Sequence, residues 1–282
     1  MVRLRARALV AFDLGSVSGA VVSPGLTGPR VGALARVPLP PGCLRPSPLE
    51  TNLLLPDAVN LGLARLREEL GTARATLVLP DGVARILLLH VPEDAEPGAY
   101  ARYRLGPSLS YPATEAVVDV LSFSGRRCLG AGVRRRIVEE YESAAQAAGF
   151  IQERVHLAPL AAIAGLVRQP QSGAPVVDVI LGDAALSIVA CEGGVLKVFR
   201  NRRRDPGPGE AARILDEAER TAAAAWNAGT REARVAFTGV DARFLVDELA
   251  AAGRVAELRA TLPRASGLPA AAEAAWLGAA VS

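Results

Sequence analysis

The first residues whose types and spacing could do chemistry lie near the start of the sequence, between two short apolar runs. Ala8 to Phe12 is apolar, Asp13-Leu14-Gly15-Ser16 interrupts it, and Ser18 to Val22 resumes small and β-branched character. The segment reads as strand, tight turn, strand. A turn bounded by Gly15 lets backbone N–H groups face a phosphate, Ser16 adds a hydroxyl donor, and Asp13 can hold a hydrated magnesium ion. The same tetrapeptide also serves as a plain hairpin turn, since Asp-Xaa-Gly suits many turns. The theme returns in the second half, where Val176 to Leu181, a turn at Gly182-Asp183-Ala184, Leu186 to Cys191, a turn at Glu192-Gly193-Gly194 and Val195 to Phe199 read as three antiparallel strands. A later strand, Ala233 to Phe237, runs into Thr238-Gly239-Val240-Asp241.

Other chemistries find little material. His90 and His156 are the only histidines and read as strand-end residues, which leaves no histidine metal site and no Ser-His-Asp triad. Cys43, Cys128 and Cys191 are odd in number and far apart, so they read as reduced thiols. The net charge is +3, too small to imply a nucleic acid partner. The clusters Arg134-Arg135-Arg136 and Arg202-Arg203-Arg204 lack interleaved aromatics and read as a solvated helix start and a solvated loop. The apolar run after the basic start meets Asp13 too soon for a signal-peptide core, and the Val155 to Val167 stretch is too short to span a bilayer. The expected location is therefore cytoplasmic, with any membrane association made through a partner.

The elements that must position these residues can be traced along the 282 residues, of which 50% are hydrophobic and 22% charged, a balance that excludes disorder for the bulk of the chain. Pro38 to Pro48 reads as an irregular connection. Asp57 is expected to cap a helix in which Val59, Leu63, Leu66 and Leu70 recur at three- and four-residue steps, closed by Gly71. Strands Ala75 to Leu79 and Ala84 to Val91 are joined by Pro80-Asp81-Gly82. From Pro92 the texture changes to a short helix at Tyr100 to Leu105, a break through Pro112, strands near Ala116 to Phe123 and Cys128 to Val133, a helix from Arg134 to Ala148, and a strand from Phe150 to His156. Leu160 to Val167 resembles a helix and Gln169 to Pro175 a linker. In the second half a polar loop, Asn201 to Gly209, precedes helices at Glu210 to Asn227, Asp241 to Ala251 and Pro269 to Ala280. Two halves that open alike and end in helices suggest a duplicated α/β architecture with a cleft between lobes.

This order of motifs resembles the actin-like ATPase superfamily and, within it, the PilM-type assembly proteins of type IV pili. Phe12-Asp13-Leu14-Gly15-Ser16 resembles the first phosphate loop, and Leu77 to Leu87 the strand-turn-strand after the first helix. Tyr100 to Asp119, with Tyr111-Pro112 ahead of a strand, is similar to the start of the inserted 1C subdomain. Leu157-Ala158-Pro159-Leu160-Ala161 is similar to the return to the main lobe, and Leu186-Ser187-Ile188-Val189 with Gly193-Gly194-Val195-Leu196 to the second-lobe hairpin. The implied fold is an α/β, ribonuclease H-like two-lobed fold with a 1C-type insert and little or no 2B subdomain. Its parts would be a first lobe of residues 1–92 and 157–175, an insert of 93–156 and a reduced second lobe of 176–282.

In this resemblance Asp13, Gly15, Ser16, Asp178, Gly182, Asp183 and Gly239 form a vestigial nucleotide site. Aligning on Leu186 puts Asp178 at the acidic position and Ile180 where glycine is wanted, while using Gly182-Asp183 keeps a glycine but reverses the order. Val240 likewise stands where a second glycine is usual. The implication is a chain with no cofactor and no catalytic residue, ATP and magnesium entering only if the site is functional. The implied role is a cytoplasmic scaffold, peripheral at the inner membrane, that binds the cytoplasmic segment of a PilN-like membrane protein, with self-association also open. Tyr100, Tyr103, Leu105, Tyr111 and Val117 would line that partner site or else form local core. The competing reading is a small actin-fold ATPase or sugar-kinase-like phosphotransferase.

Overall fold

A computed structural model describes residues 6–23, 30–168, 173–226, 233–239 and 241–259. The first strands are β1 (Arg7–Asp13), β2 (Ser16–Ser23) and β3 (Arg30–Pro38), an antiparallel meander. Ala8 to Phe12 is buried on both faces, which is why β1 reads as a continuous apolar run. Helix α1 (Pro56–Leu70) lays Val59, Leu63, Leu66 and Leu70 onto this sheet. Asp57 does not cap it: the cap position is Leu55, without a side-chain hydrogen bond, Pro56 opens the helix, and Asp57 sits in the first turn, where its charge favours the helix dipole. Gly71, at φ +65°, ends the helix by donating its N–H to the Arg67 carbonyl.

Strand β4 (Arg74–Leu79) runs parallel to β1, and β5 (Ala84–His90) leaves this sheet. Helix α2 (Pro97–Leu105), β6 (Ala116–Phe123), β7 (Arg127–Arg134) and α3 (Arg135–Ala147) follow, and β8 (Ile151–Leu157) returns to pair parallel with β4. The first-lobe sheet has the order β3-β2-β1-β4-β8, and a separate three-stranded antiparallel sheet has the order β5-β7-β6. Strand β5, expected in the first lobe, thus belongs to the insert's sheet, and β8, expected in the insert, belongs to the first lobe's. Pairing partners decide membership, and local sequence does not carry them.

After helix α4 (Ala158–Arg168) the second lobe is built from β9 (Val176–Leu181), β10 (Ala185–Glu192), β11 (Val195–Arg203), α5 (Glu210–Trp226), β12 (Arg234–Gly239), α6 (Ala242–Ala251) and β13 (Glu257–Leu258). Its order, β11-β10-β9-β12-β13, repeats that of the first sheet, with β9, β10 and β11 antiparallel and β12 parallel to β9. Strand β11 pairs with β10 as far as Ala185 with Arg203, so it continues through residues expected to be loop. Among the described residues, only a loop and α5 lie between β11 and β12. The helix expected at Pro269 to Ala280, and Val240, lie outside the described residues.

One apolar cluster runs from the first lobe through the insert and reaches Ile180, Val189, Cys191 and Leu196 of the second lobe, while a second cluster fills the second lobe. At its centre the rings of Phe12 and Tyr141 meet edge to face, 4.8 Å apart. Glu140, next to Tyr141, accepts from the Asn52 and Leu53 N–H groups and ties the loop before α1 to the insert.

Candidate functional site

The turns opening the two lobes converge. Asp13 ends β1, and its Oδ2 accepts from the Ser16 and Ser18 hydroxyls at 3.3 and 3.2 Å. Ser16 is buried and also accepts from Arg36 Nε at 3.0 Å, so its hydroxyl is spent within its own lobe. The Gly15 carbonyl accepts from Leu39 N–H, and a Cβ at Gly15 would meet nothing within 4 Å. Across the cleft the second-lobe turn brings Asp183, whose Oδ2 accepts from Leu14 N–H at 3.0 Å. Asp81, in a 3-10 turn after β4, faces the same space, and a Cβ at Gly182 would stand 3.1 Å from its carboxylate. Phe12, Asp13, Asp81, Pro159, Ile180 and Asp183 surround a cavity of about 40 Å³. That is room for a few waters, against roughly 300–1,000 Å³ for a small-molecule pocket.

Three carboxylates therefore crowd one small space. Burial first, and then the Asp183 charge, push Asp13 up to about 6, against the hydrogen bonds from Ser18 and Ser16 and the Arg36 charge. Burial likewise pushes Asp81 up to about 6, opposed by hydrogen bonds from its own and the Gly82 amide and helped by Asp183. A carboxyl whose folded pKa is raised stabilises the fold below its unfolded pKa of 3.8, and that stabilisation is lost as pH rises through about 6. The Asp81→Asn variant should therefore be more stable than the natural chain at pH 7.5, by about 2 kcal/mol, with the gain shrinking towards pH 4. Melting temperatures of both proteins across that range check it. A difference independent of pH would show that Asp81 is ionised throughout. Although three carboxylates face this space, no group of three His, Cys, Asp or Glu is placed to hold a metal ion among the described residues.

The structure places the remaining nucleotide candidates as follows. The second-lobe turn is built on Gly182 to Ala184, and Asp178 does not line the cleft: its carboxylate is buried in β9 and accepts from Arg259 at 2.5 Å. Gly239, at φ +109°, ends β12 directly against Leu181 of β9. Between these elements lies Arg204, which is buried rather than solvated. Its guanidinium donates to Glu210 Oε1 at 2.7 Å, Asp241 Oδ2 at 2.9 Å and the Gly182 carbonyl at 3.0 Å. Its backbone N–H donates to the Ala184 carbonyl at 2.9 Å. Sequence reasoning missed it because three adjacent arginines look alike: Arg203 is exposed, and Arg202, at 58% side-chain exposure, reaches in to the buried Glu217 carboxylate.

The residues expected at the partner site do not share one exposed face. Leu105 and Tyr111 are buried, the latter beneath the Arg134 guanidinium. Tyr100 packs beside the insert's small apolar cluster, and Tyr103 is 75% exposed. Only Val117 lines a larger opening, a groove of about 280 Å³ between β6 of the insert and β8 and α4 of the first lobe. Along β6, Leu121 faces the main core while Val118 and Val120 face the α2 side, so the helix carrying Tyr100 and Tyr103 lies across the insert sheet from the groove. Val133, Val138, Val155 and Leu160 make its walls apolar, with Asp119 and His156 as polar members. The His156 Nε2 atom is buried without a hydrogen-bond partner. Burial, then the Arg154 and Arg7 charges, hold that imidazole below its ordinary pKa, with Asp119 opposing.

The duplicated sheets, the facing turns and the insert are those of the actin-like ATPase fold. Solved structures agree. The chain is similar to the PilM–PilN type IV pilus biogenesis complex, at 17% identity and a TM-score of 0.68, over 91% of this chain and 88% of that one. It is similar to a Bacteroides thetaiotaomicron protein with an actin-like ATPase fold, at 10% identity and a TM-score of 0.57, over 91% and 90%. The cytoplasmic domain of EpsL, an inner-membrane component of the type II secretion system of Vibrio cholerae, matches at 12% identity and a TM-score of 0.56, over 99% and 96%. No protein-family model and no curated protein matches the sequence. Among the described residues no helix is long and apolar enough to cross a membrane.

Proposed function

We propose that this protein is a cytoplasmic scaffold of an inner-membrane platform, of the type IV pilus or a related secretion machine, and that it captures the cytoplasmic segment of a PilN-like membrane protein. The observation that carries the reading is the groove between β6 and β8. Both strands are edges of their sheets, so an extended segment entering the groove finds main-chain hydrogen-bonding groups on either side and apolar walls for its side chains. The similarity to a PilM–PilN complex supports the partner class. The competing phosphotransferase reading needs an open cleft, whereas the two turns are in direct contact.

The test is calorimetric titration with a synthetic peptide copying the N-terminal cytoplasmic segment of the host's PilN-like protein. Val117→Arg, which places a charge at a half-exposed position of the groove wall, should weaken binding about 10–100-fold. Tyr103→Ala, across the insert sheet, should leave it unchanged. The opposite pattern would move the site to α2, and absence of binding to the natural chain would remove the scaffold reading.

A further inference from the structure

We infer that the two lobes are fastened to each other by the protein's own Asp183 carboxylate, held in place by Arg204, so that the closed arrangement needs no nucleotide. The fastening is independent of the groove and of any partner. Leu14 and Gly15 are exposed at the tip of the first turn, where an amide would ordinarily be left to water. Instead Leu14 N–H donates to a carboxylate 169 residues away, at 3.0 Å. An anion does belong at such a turn, and the second lobe supplies it as a side chain.

Asp183 is positioned from both sides. Arg204 holds the carbonyl before it, Gly182 O, through Nη1 and the carbonyl after it, Ala184 O, through its backbone N–H. The guanidinium is fixed in turn by Glu210 at the start of α5 and Asp241 at the start of α6. A continuous chain of hydrogen bonds therefore runs from the helices of the second lobe, through Arg204 and the Asp183 turn, to the first hairpin of the first lobe. Gly182 meanwhile lies against Asp81, so the turn is seated as well as tied. A second fastening lies where the insert meets the second lobe: Arg127 Nη1 donates to the Leu196 and Lys197 carbonyls of β11, at 2.6 and 3.2 Å. With the Leu14 donor used and about 40 Å³ left between the lobes, the cleft as built does not fit ATP with magnesium.

The experiment is amide hydrogen exchange of the full chain followed by NMR, with and without millimolar MgATP. The Leu14 amide of the natural chain should exchange at least about tenfold slower than an open turn, with MgATP making no difference, and Asp183→Ala should remove that protection. An unprotected Leu14 in the natural chain overturns the inference without recourse to any variant, which keeps it falsifiable should Asp183→Ala fail to fold. So does protection that survives Asp183→Ala in a protein folded by circular dichroism. Slower exchange of the Leu14 or Gly182 amides on adding MgATP would show that nucleotide, and not Asp183, closes the lobes.

Discussion

Arg204→Ala is expected to destabilise the protein by about 3–5 kcal/mol, the cost of removing one member of a buried, hydrogen-bonded charge pair. The side chain is 3% exposed and its partner Glu210 8%, so the alanine leaves a carboxylate buried without its cation. It also leaves the Gly182 carbonyl without its Arg204 donor. Lysine does not substitute, because a single ammonium lacks the planar fork that reaches Glu210, Asp241 and Gly182 together. Replacing both members with apolar residues, as in Arg204→Met with Glu210→Leu, should recover most of the loss, since the penalty lies in the orphaned charge. Urea unfolding of the single and double variants checks this. A loss under about 1 kcal/mol for Arg204→Ala would mean that water reaches Glu210 and that the ion pair is a surface one.

The same arginine marks the boundary of what could be read from the sequence. The central strands were legible because burial on both faces forces apolar runs, as in Ala8 to Phe12 and Val176 to Leu181. Helix α1 was legible because its buried face repeats at helical spacing, and its end because Gly71 has the conformation that glycine favours. The resemblance gave the actin-like fold, and the solved structures agree with it. Pairing that joins distant segments was not legible. Neither boundary of the insert could be assigned, since β5 finds β7 about forty residues later and β8 finds β4 nearly eighty earlier.

At the site, the strand-turn-strand motifs around Asp13 and Asp183 were readable, and their contact was not. The choice between Asp178 and Asp183 depended on hairpin register, which places Leu186 opposite Leu181 and leaves Gly182 to Ala184 as the turn. His156 and Asp81 carry no local signal: one is a strand-end histidine and the other an ordinary turn aspartate until tertiary structure sets them against a groove and a cleft.

Gly239→Ala should be the most damaging of the glycine substitutions in the candidate nucleotide motifs, and the comparison with Gly15→Ala bears on what those motifs mean. At Gly239 the backbone has φ +109°, and a Cβ would lie 2.1 Å from the Leu181 carbonyl oxygen and 2.8 Å from its nitrogen. The obstacle is backbone on an adjacent paired strand, so no side-chain rotation relieves it, and β9 and β12 must part at the end that carries the Gly182 turn. We expect a loss of about 3 kcal/mol or more, from combined backbone strain and displaced pairing, seen as a lower urea midpoint or failure to fold. Gly15→Ala, with nothing within 4 Å of the new methyl, should stay within about 0.5 kcal/mol of the natural chain. Gly239 is thus required by the joint between two strands whether or not a ligand was ever bound there, and Gly15 is not required by packing at all. Near-neutral stability for Gly239→Ala would show that the strand ends can part freely, and would return this glycine to the role of admitting a ligand.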